Sequence, residues 1–311
     1  MSARVLFMGT PDFAVPTLRA LVEGGYTLVG VVTQPDRPAG RGRALLASPV
    51  KQYAQAQGLD VWQPTTLRAP AAVAEIAARR PDVIVVAAFG MILRADVLAL
   101  PPYGCLNVHA SLLPRHRGAS PIAAAILAGD AVTGCTIMRM DEGLDTGPIL
   151  AQATLDIRAD DTTTSLGARL ATLGADLLVA VLPMWLEGAI TAQPQPAAGA
   201  TFCRPIRKEE GQIDWSLPAV AIERMVRAYT PWPGAFTFWE GQLLKITRAG
   251  VAEGVAEPGR VLAHGGGAGA AVGTGEGLLL LEEVQPAGRR PLPIRDFLAG
   301  RRSFLGARLG P

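Results

Sequence analysis

Cysteine is scarce in this 311-residue chain: Cys105, Cys135 and Cys203 stand far apart, with no C-x-x-C pair among them. Disulfide scaffolds and zinc ribbons need paired or clustered cysteines, so the three read as reduced core thiols of a cytosolic protein. Charge of one sign is also missing. Twenty-nine Lys and Arg against 27 Asp and Glu leave a net +2, too little to mark the whole chain as polyanion-binding, so any basic surface is local. The apolar runs "DVIVVAAF" and "GLLLLEEV" are of strand length, and none approaches the ~20 residues of a membrane helix. The start "MSARVLFMGTPDF" lacks the charged, apolar and small-residue order of a secretory signal. A cytoplasmic protein without membrane association is expected. The G-x-G-x-x-G fingerprint is absent too. Gly9 stands alone between a strand and a helix, which disfavours a nicotinamide or flavin enzyme and leaves Thr10 and Asp12 as turn and cap formers.

What is present is a βαβ rhythm. "RVLFM" (Arg4 to Met8), "YTLVGVV" (Tyr26 to Val32) and "PDVIVVAA" (Pro81 to Ala88) read as strands buried on both faces, separated by helical stretches. This pattern predicts an α/β fold, a Rossmann-like doubly wound parallel sheet. Ser48 before Pro49 and Ser120 before Pro121 mark helix starts. A helix is expected over about residues 162–187, then a Pro-, Ala- and Gln-rich linker at 190–205. The domains predicted are thus 1–189 and 206–311, the second a small β-barrel whose "HGGGAGAAVGTGEG" is a hairpin loop.

Histidines number three, and two of the three lie in "NVHASLLPRHRGASP", residues 107–121. Residues two apart on a strand point the same way. If "LNVH" is extended at the end of a strand, the amide of Asn107 and the imidazole of His109 converge, as stabilisation of an oxyanion in acyl transfer requires. A serine nucleophile at Ser111 lacks its G-x-S-x-G elbow, and His109 with His116 falls short of a metal ligand set. "MDEGLDTGP" offers Asp141, Glu142 and Asp145, turn formers by default. Any of them could orient His109 and favour its charged form; Asp145, between Gly143 and Gly147, has the freest backbone.

Two segments are locally basic. "QPDRPAGRGRALLASPVK" carries Arg37, Arg41, Arg43 and Lys51 against Asp36. Such a long loop is either a solvated surface or a reach toward a phosphate backbone. The C-terminal stretch carries Arg289, Arg290, Arg295, Arg301, Arg302 and Arg308 against Asp296. By itself it reads as a solvated helix face; two basic segments in different domains favour a polyanionic partner.

The motifs "MGTPDFAVPTL", "TQPDRPAGRG", "SPVK", "NVHASLLPRHRGASPI", "TIMRMDEGLDTGP", "EEGQIDWS" and "YTPWPGA" occur in that order. With them the chain resembles the bacterial methionyl-tRNA formyltransferase family over nearly its whole length. The Asn, His and "SLLPR" segment with the later "DTG" is common to enzymes using 10-formyltetrahydrofolate. The resemblance implies formyl transfer from 10-formyltetrahydrofolate, as cosubstrate and without a metal, to the α-amine of methionine on initiator tRNA. It carries over Asn107, His109 and Asp145 as the catalytic trio and Ser111, Leu112, Leu113 and Pro114 as the folate-binding segment. Arg37, Arg41, Arg43 and Lys51 would contact tRNA, Arg41 at its acceptor end. The C-terminal domain would be an oligonucleotide-binding type barrel, and the working unit a monomer.

Two departures from the family pattern stand out. His116 replaces a ring that is more often aromatic and is expected to be a packing or surface residue. Pro205 replaces a lysine, so Arg204, Arg207 or Lys208 would supply that tRNA contact. A formyltransferase acting on a small amine, such as a sugar nucleotide or purine precursor, and a non-catalytic RNA-binding protein are the competing readings.

Overall fold

The computed structural model describes residues 3–39 and 44–310. The chain forms two compact units. One holds the chain up to Pro121 with Val132–Asp156 and Gly167–Cys203; the other holds Ile122–Ala131, Ile157–Leu166 and the chain from Arg204.

The first unit is built on a seven-stranded sheet: β1 (Arg4–Gly9), β2 (Thr27–Val32), β3 (Val61–Trp62), β4 (Val83–Ala87), β5 (Cys105–His109), β6 (Val132–Arg139) and β7 (Ile149–Asp156). Their spatial order is β7-β6-β5-β4-β1-β2-β3. Strands β1 to β5 pair in parallel. Strands β6 and β7 add antiparallel at one edge, so the expected parallel sheet is a mixed one. Only residues 140–148 join β6 to β7, too few for the crossover a parallel return needs.

Strand alternation explains why both faces are apolar. Val5, Phe7, Val31, Val83, Val85, Leu106 and Val108 enter one core with Leu18 and Leu21 of helix α1 (Val15–Glu23) and Val50 and Ala54 of α2 (Pro49–Ala56). Leu6, Met8, Val32, Ile84, Val86 and Cys105 enter the other core, with Ile76 of α3 (Pro70–Ala78) and Val97 of α4 (Ala95–Leu98). Helices therefore cover both faces, as in a doubly wound fold. Ser48 caps α2 as its sequence predicts, accepting from Lys51 N–H at 3.1 Å. Thr10 bridges two loops instead of a cap, donating to the Phe89 carbonyl. The side chain of Asp12 caps no helix in the short turn it begins.

Pro121–Ala128 forms α5, and Thr163–Leu186 forms the long helix α6. Among the described residues α6 is long and apolar enough to cross a membrane, which the strand-length runs did not suggest. Its Leu178 and Leu182 pack in the first core against Leu106, Val108 and Ile137, the placement of a core helix.

The second unit carries α7 (Ala219–Ala228), with Ile222, Met225 and Val226 buried on one stripe. Its antiparallel sheet has strands β8 (Ala235–Trp239), β9 (Gln242–Ala252), β10 (Val261–His264), β11 (Gly269–Gly273), β12 (Leu278–Pro286) and β13 (Leu292–Pro293). The order is β8-β9-β12-β11-β10, with β13 on β12. No ladder joins β8 to β10 among the described residues; single bridges, Gln212 with Phe236 and Arg260 with Arg308, lie at the two edges. The small β domain that the sequence predicts is this antiparallel sheet, with register shifts in β9 between Ile246 and Ala249. The glycine-rich stretch is the β10–β11 hairpin turn, where Gly265, Gly266 and Gly267 all have positive φ, a conformation glycine adopts without a steric penalty.

Candidate active site

The site grows from the same alternation. Along β5, Leu106 and Val108 face the α6 core, so Cys105, Asn107 and His109 share the opposite face. Cys105 is sealed in the apolar core, where burial pushes its thiol up to about 12. Asn107 is half-buried and His109 is 5% exposed.

The loop after β6 folds back over this row. Asp141 acts as the turn former, accepting from Gly143 N–H and Thr146 Oγ1, and Glu142 is exposed. Asp145, at φ +53, is the carboxylate that reaches the site. Its Oδ1 lies 3.4 Å from Asn107 Nδ2, and its Oδ2 lies 3.7 Å from His109 Nδ1 and accepts Gly118 N–H at 2.8 Å. The predicted trio is therefore one cluster.

The protonation of His109 follows from its partners. Nε2 sits 3.0 Å from the His116 carbonyl, which can only accept, so Nε2 carries the hydrogen and the neutral ring turns the Nδ1 lone pair toward Asp145. Burial holds the imidazole below its ordinary value; the Asp145 charge opposes that shift without reversing it. Burial thus favours the neutral form of the ring beside the Asp145 carboxylate. His116 itself is buried at φ +55; its backbone serves the site, the carbonyl toward His109 and the N–H toward Thr201 Oγ1 at 2.8 Å.

The segment after β5 is tightly held. Ser111 is fully buried and donates from Oγ to the Arg115 carbonyl at 2.6 Å. Leu113 is buried, while Leu112 and Pro114 are half-buried. Thr136 of β6 is the hub beneath them. Its Oγ1 donates to the Ser111 carbonyl, accepts Leu113 N–H and accepts from Gln152 Nε2, which also donates to the Leu113 carbonyl. A cleft of about 720 Å³ opens beside the Asp145 loop, lined by Ala95, Leu98, Ala99, Met140 and Glu142 among others. It has the size of a small-molecule site.

Sequence reading missed Thr136, Gln152, Gln195, Thr201 and Gly118. Thr136 had a signal, a polar residue within the strand pattern "TGCTIMRM". Gln195 had none, since it lies in a stretch whose composition reads as linker.

Of the basic residues, Arg37 is exposed and donates to Gln34 Oε1. Lys51 pairs with Asp36 Oδ2 at 2.6 Å, and that bond, then Gln63, holds the Asp36 carboxyl below its usual range. Arg41 and Arg43 lie outside the described residues. Arg207 and Lys208 are exposed in the second unit, beside Pro205 and an Arg204–Glu210 ion pair. Arg117 is structural: it donates to Gln195 and lies over the Phe202 ring at 5.9 Å. Among the C-terminal arginines, Arg301 stacks on Phe297 and Arg308 pairs with Glu257. Among the described residues no three His, Cys, Asp or Glu side chains gather as a metal site would need.

Comparison with known proteins gives concordant results. Residues 3–182 match the family described as Formyl transferase, and residues 205–302 match Formyl transferase, C-terminal domain. The methionyl-tRNA formyltransferase of Roseiflexus sp. (strain RS-1) is 56% identical over 100% of this chain and 96% of its own length. That of Myxococcus xanthus (strain DK1622) is 49% identical over 98% of this chain and 97% of its own. Among solved structures, an N-formyltransferase from Helicobacter canadensis in complex with folinic acid and dTDP-3-aminofucose shares the fold. Its TM-score is 0.65 at 15% identity, covering 92% of this chain and 100% of that one. HypX from Aquifex aeolicus in complex with tetrahydrofolic acid has a TM-score of 0.63 at 19% identity, covering 96% of this chain and 47% of that one.

Proposed function

The chain belongs to the formyl transferase family, and from that premise we propose that it transfers the formyl group of 10-formyltetrahydrofolate to the α-amine of methionine on initiator tRNA. Full-length relatives at 46–56% identity that bear this activity in their name support the reading. The observation that carries it is the convergence of Asn107, His109 and Asp145 on one sheet face.

The donor supplies a formyl carbon attached to a tetrahydrofolate nitrogen, and the acceptor supplies a neutral amine. The sequence assigns His109 to the oxyanion with Asn107, but its one hydrogen is held by the His116 carbonyl, so in this reading its Nδ1 instead takes the proton that the amine loses as its nitrogen bonds to that carbon. Asp145 steadies the charged ring from 3.7 Å while the His116 carbonyl holds the far nitrogen. Asn107 Nδ2 directs one hydrogen toward Asp145 and keeps the other for the oxygen that gains negative charge. His109 then delivers its proton to the tetrahydrofolate nitrogen as the old carbon–nitrogen bond breaks. Atoms and charges balance, and the enzyme returns to its starting state without a covalent intermediate.

Ser111, Leu112, Leu113 and Pro114 form the wall toward the folate in this reading, with half-buried Leu112 and Pro114 making the contact and Ser111 and Leu113 holding the loop. Arg37, Arg41, Arg43, Arg207 and Lys208 take tRNA phosphates; Lys51, already paired with Asp36, anchors the base of its loop. The enzyme works as a cytoplasmic monomer. To test the function, donor labelled in the formyl group is offered with methionyl initiator tRNA, uncharged tRNA or small amines such as amino-sugar nucleotides. Label on the methionine nitrogen is expected, and label on a small amine alone would falsify the proposal.

A further inference from the structure

Residues 183–204 lie outside both family matches, yet part of this stretch is bound to the catalytic cluster. Gln193 bridges to Ile149, and Phe202–Cys203 pairs in parallel with Arg117–Gly118. Between these anchors stands half-buried Gln195, whose amide is fully engaged. Nε2 donates to the carbonyls of Asp145 at 2.9 Å and Gly147 at 2.7 Å. Oε1 accepts from Arg117 Nε at 3.0 Å and Nη2 at 2.7 Å.

These partners have a shared geometry. One side of the amide holds the backbone of Asp145, which sits at φ +53, a region non-glycine residues seldom occupy. The other side holds the residue before Gly118, whose N–H binds the Asp145 carboxylate. Gln195 thus joins the loop that carries the carboxylate to the strand that orients it. Resting on the function proposed above, we propose that Gln195 is a positioning residue for formyl transfer. It fixes Asp145 and, through Asp145, the ring of His109. Only an amide of this length has both the donors for two carbonyls and the acceptor for a guanidinium. The stretch whose composition marks a linker is, in this account, a working part of the site.

The test compares Gln195→Leu and Gln195→Glu with native enzyme in steady-state formylation of methionyl-tRNA. Leu removes every bond; Glu keeps the acceptor for Arg117 but loses both donors, and serves if the Leu variant folds poorly. Gln193→Ala, whose exposed side chain donates to the nearby Thr191 carbonyl, is the control. Displacing a reacting group by about 1 Å costs on the order of a hundredfold, so kcat is expected to fall about ten- to a hundredfold in both Gln195 variants. KM for each substrate stays within twofold, the lost bonds lower the unfolding midpoint while leaving it above the assay temperature, and Gln193→Ala behaves as native. A folded Gln195 variant with native kcat, or a loss confined to KM, overturns the inference alone. Native enzyme that leaves methionyl-tRNA unformylated overturns the function and this inference together.

Discussion

Replacing Asp145 by Asn separates its charge from its shape. The amide oxygen of the new side chain can still accept Gly118 N–H, so the loop keeps its anchor, while the unit charge 3.7 Å from His109 Nδ1 disappears. Both native side chains are largely buried, His109 at 6% and Asp145 at 14% exposure, so solvent screens the pair little. Two unit charges at that distance interact by roughly 4 kcal/mol at an effective dielectric constant of 20. If the whole of that energy steadied the imidazolium formed during transfer, its loss would slow the reaction about a thousandfold. The new amide dipole recovers part of it, so a loss of about a hundredfold in single-turnover formylation is expected. The pH profile gives an independent sign. Burial already holds His109 below its ordinary value, and Asp145 is the main group opposing that shift. Without the charge the ring stays neutral to still lower pH, so the acid limb of the Asp145→Asn enzyme moves further down. A rate within fivefold of native, or a limb that moves up, would refute the reasoning.

Other consequences follow from the same geometry. Thr136→Val removes three hydrogen bonds beneath residues 111–114. At about 1 kcal/mol for each bond, urea unfolding should register a loss of about 2–3 kcal/mol, and KM for the formyl donor should rise more than that for tRNA; unchanged stability would contradict this role. His109 also makes stability pH-dependent. Its folded value lies below the unfolded one, so below about 6.5 the unfolded chain binds a proton that the folded chain refuses, and stability falls as pH falls. His109→Gln should lose less stability than native protein between about pH 7.5 and about pH 5.5, and equal losses in both would count against a buried neutral ring.

The sheet was legible because its strands are buried on both faces: Val5, Leu6, Phe7 and Met8 leave no polar position to confuse the pattern. Asn107 and His109 were legible for a related reason, since the two-residue spacing puts both on the face that Cys105 begins. The family resemblance singles out Asp145, but from residue types alone Asp141, Glu142 and Asp145 all suit a glycine-rich turn, and the fold-back of the loop is what brings Asp145 beside Asn107 and His109. The antiparallel edge escaped because apolar alternation carries no strand direction. Gln195 and Thr201 escaped because their partners lie 78 and 85 residues away, and composition reports nothing at that range. The ring of His116 was expected to pack or sit on the surface; that its carbonyl would fix the tautomer of His109 depends on backbone position, which residue type does not encode.

The central claim is that the reacting formyl group lies between Asn107 and His109. Single-turnover transfer of labelled formyl to methionyl initiator tRNA, measured for native enzyme, Asn107→Ala and His109→Ala with tRNA binding checked in parallel, tests it most directly. Losing the Asn107 donor costs about 3 kcal/mol and losing the His109 base costs on the order of a hundredfold or more, so each variant is expected to bind tRNA normally and transfer at least about a hundredfold more slowly. Near-native transfer by both variants would contradict the account.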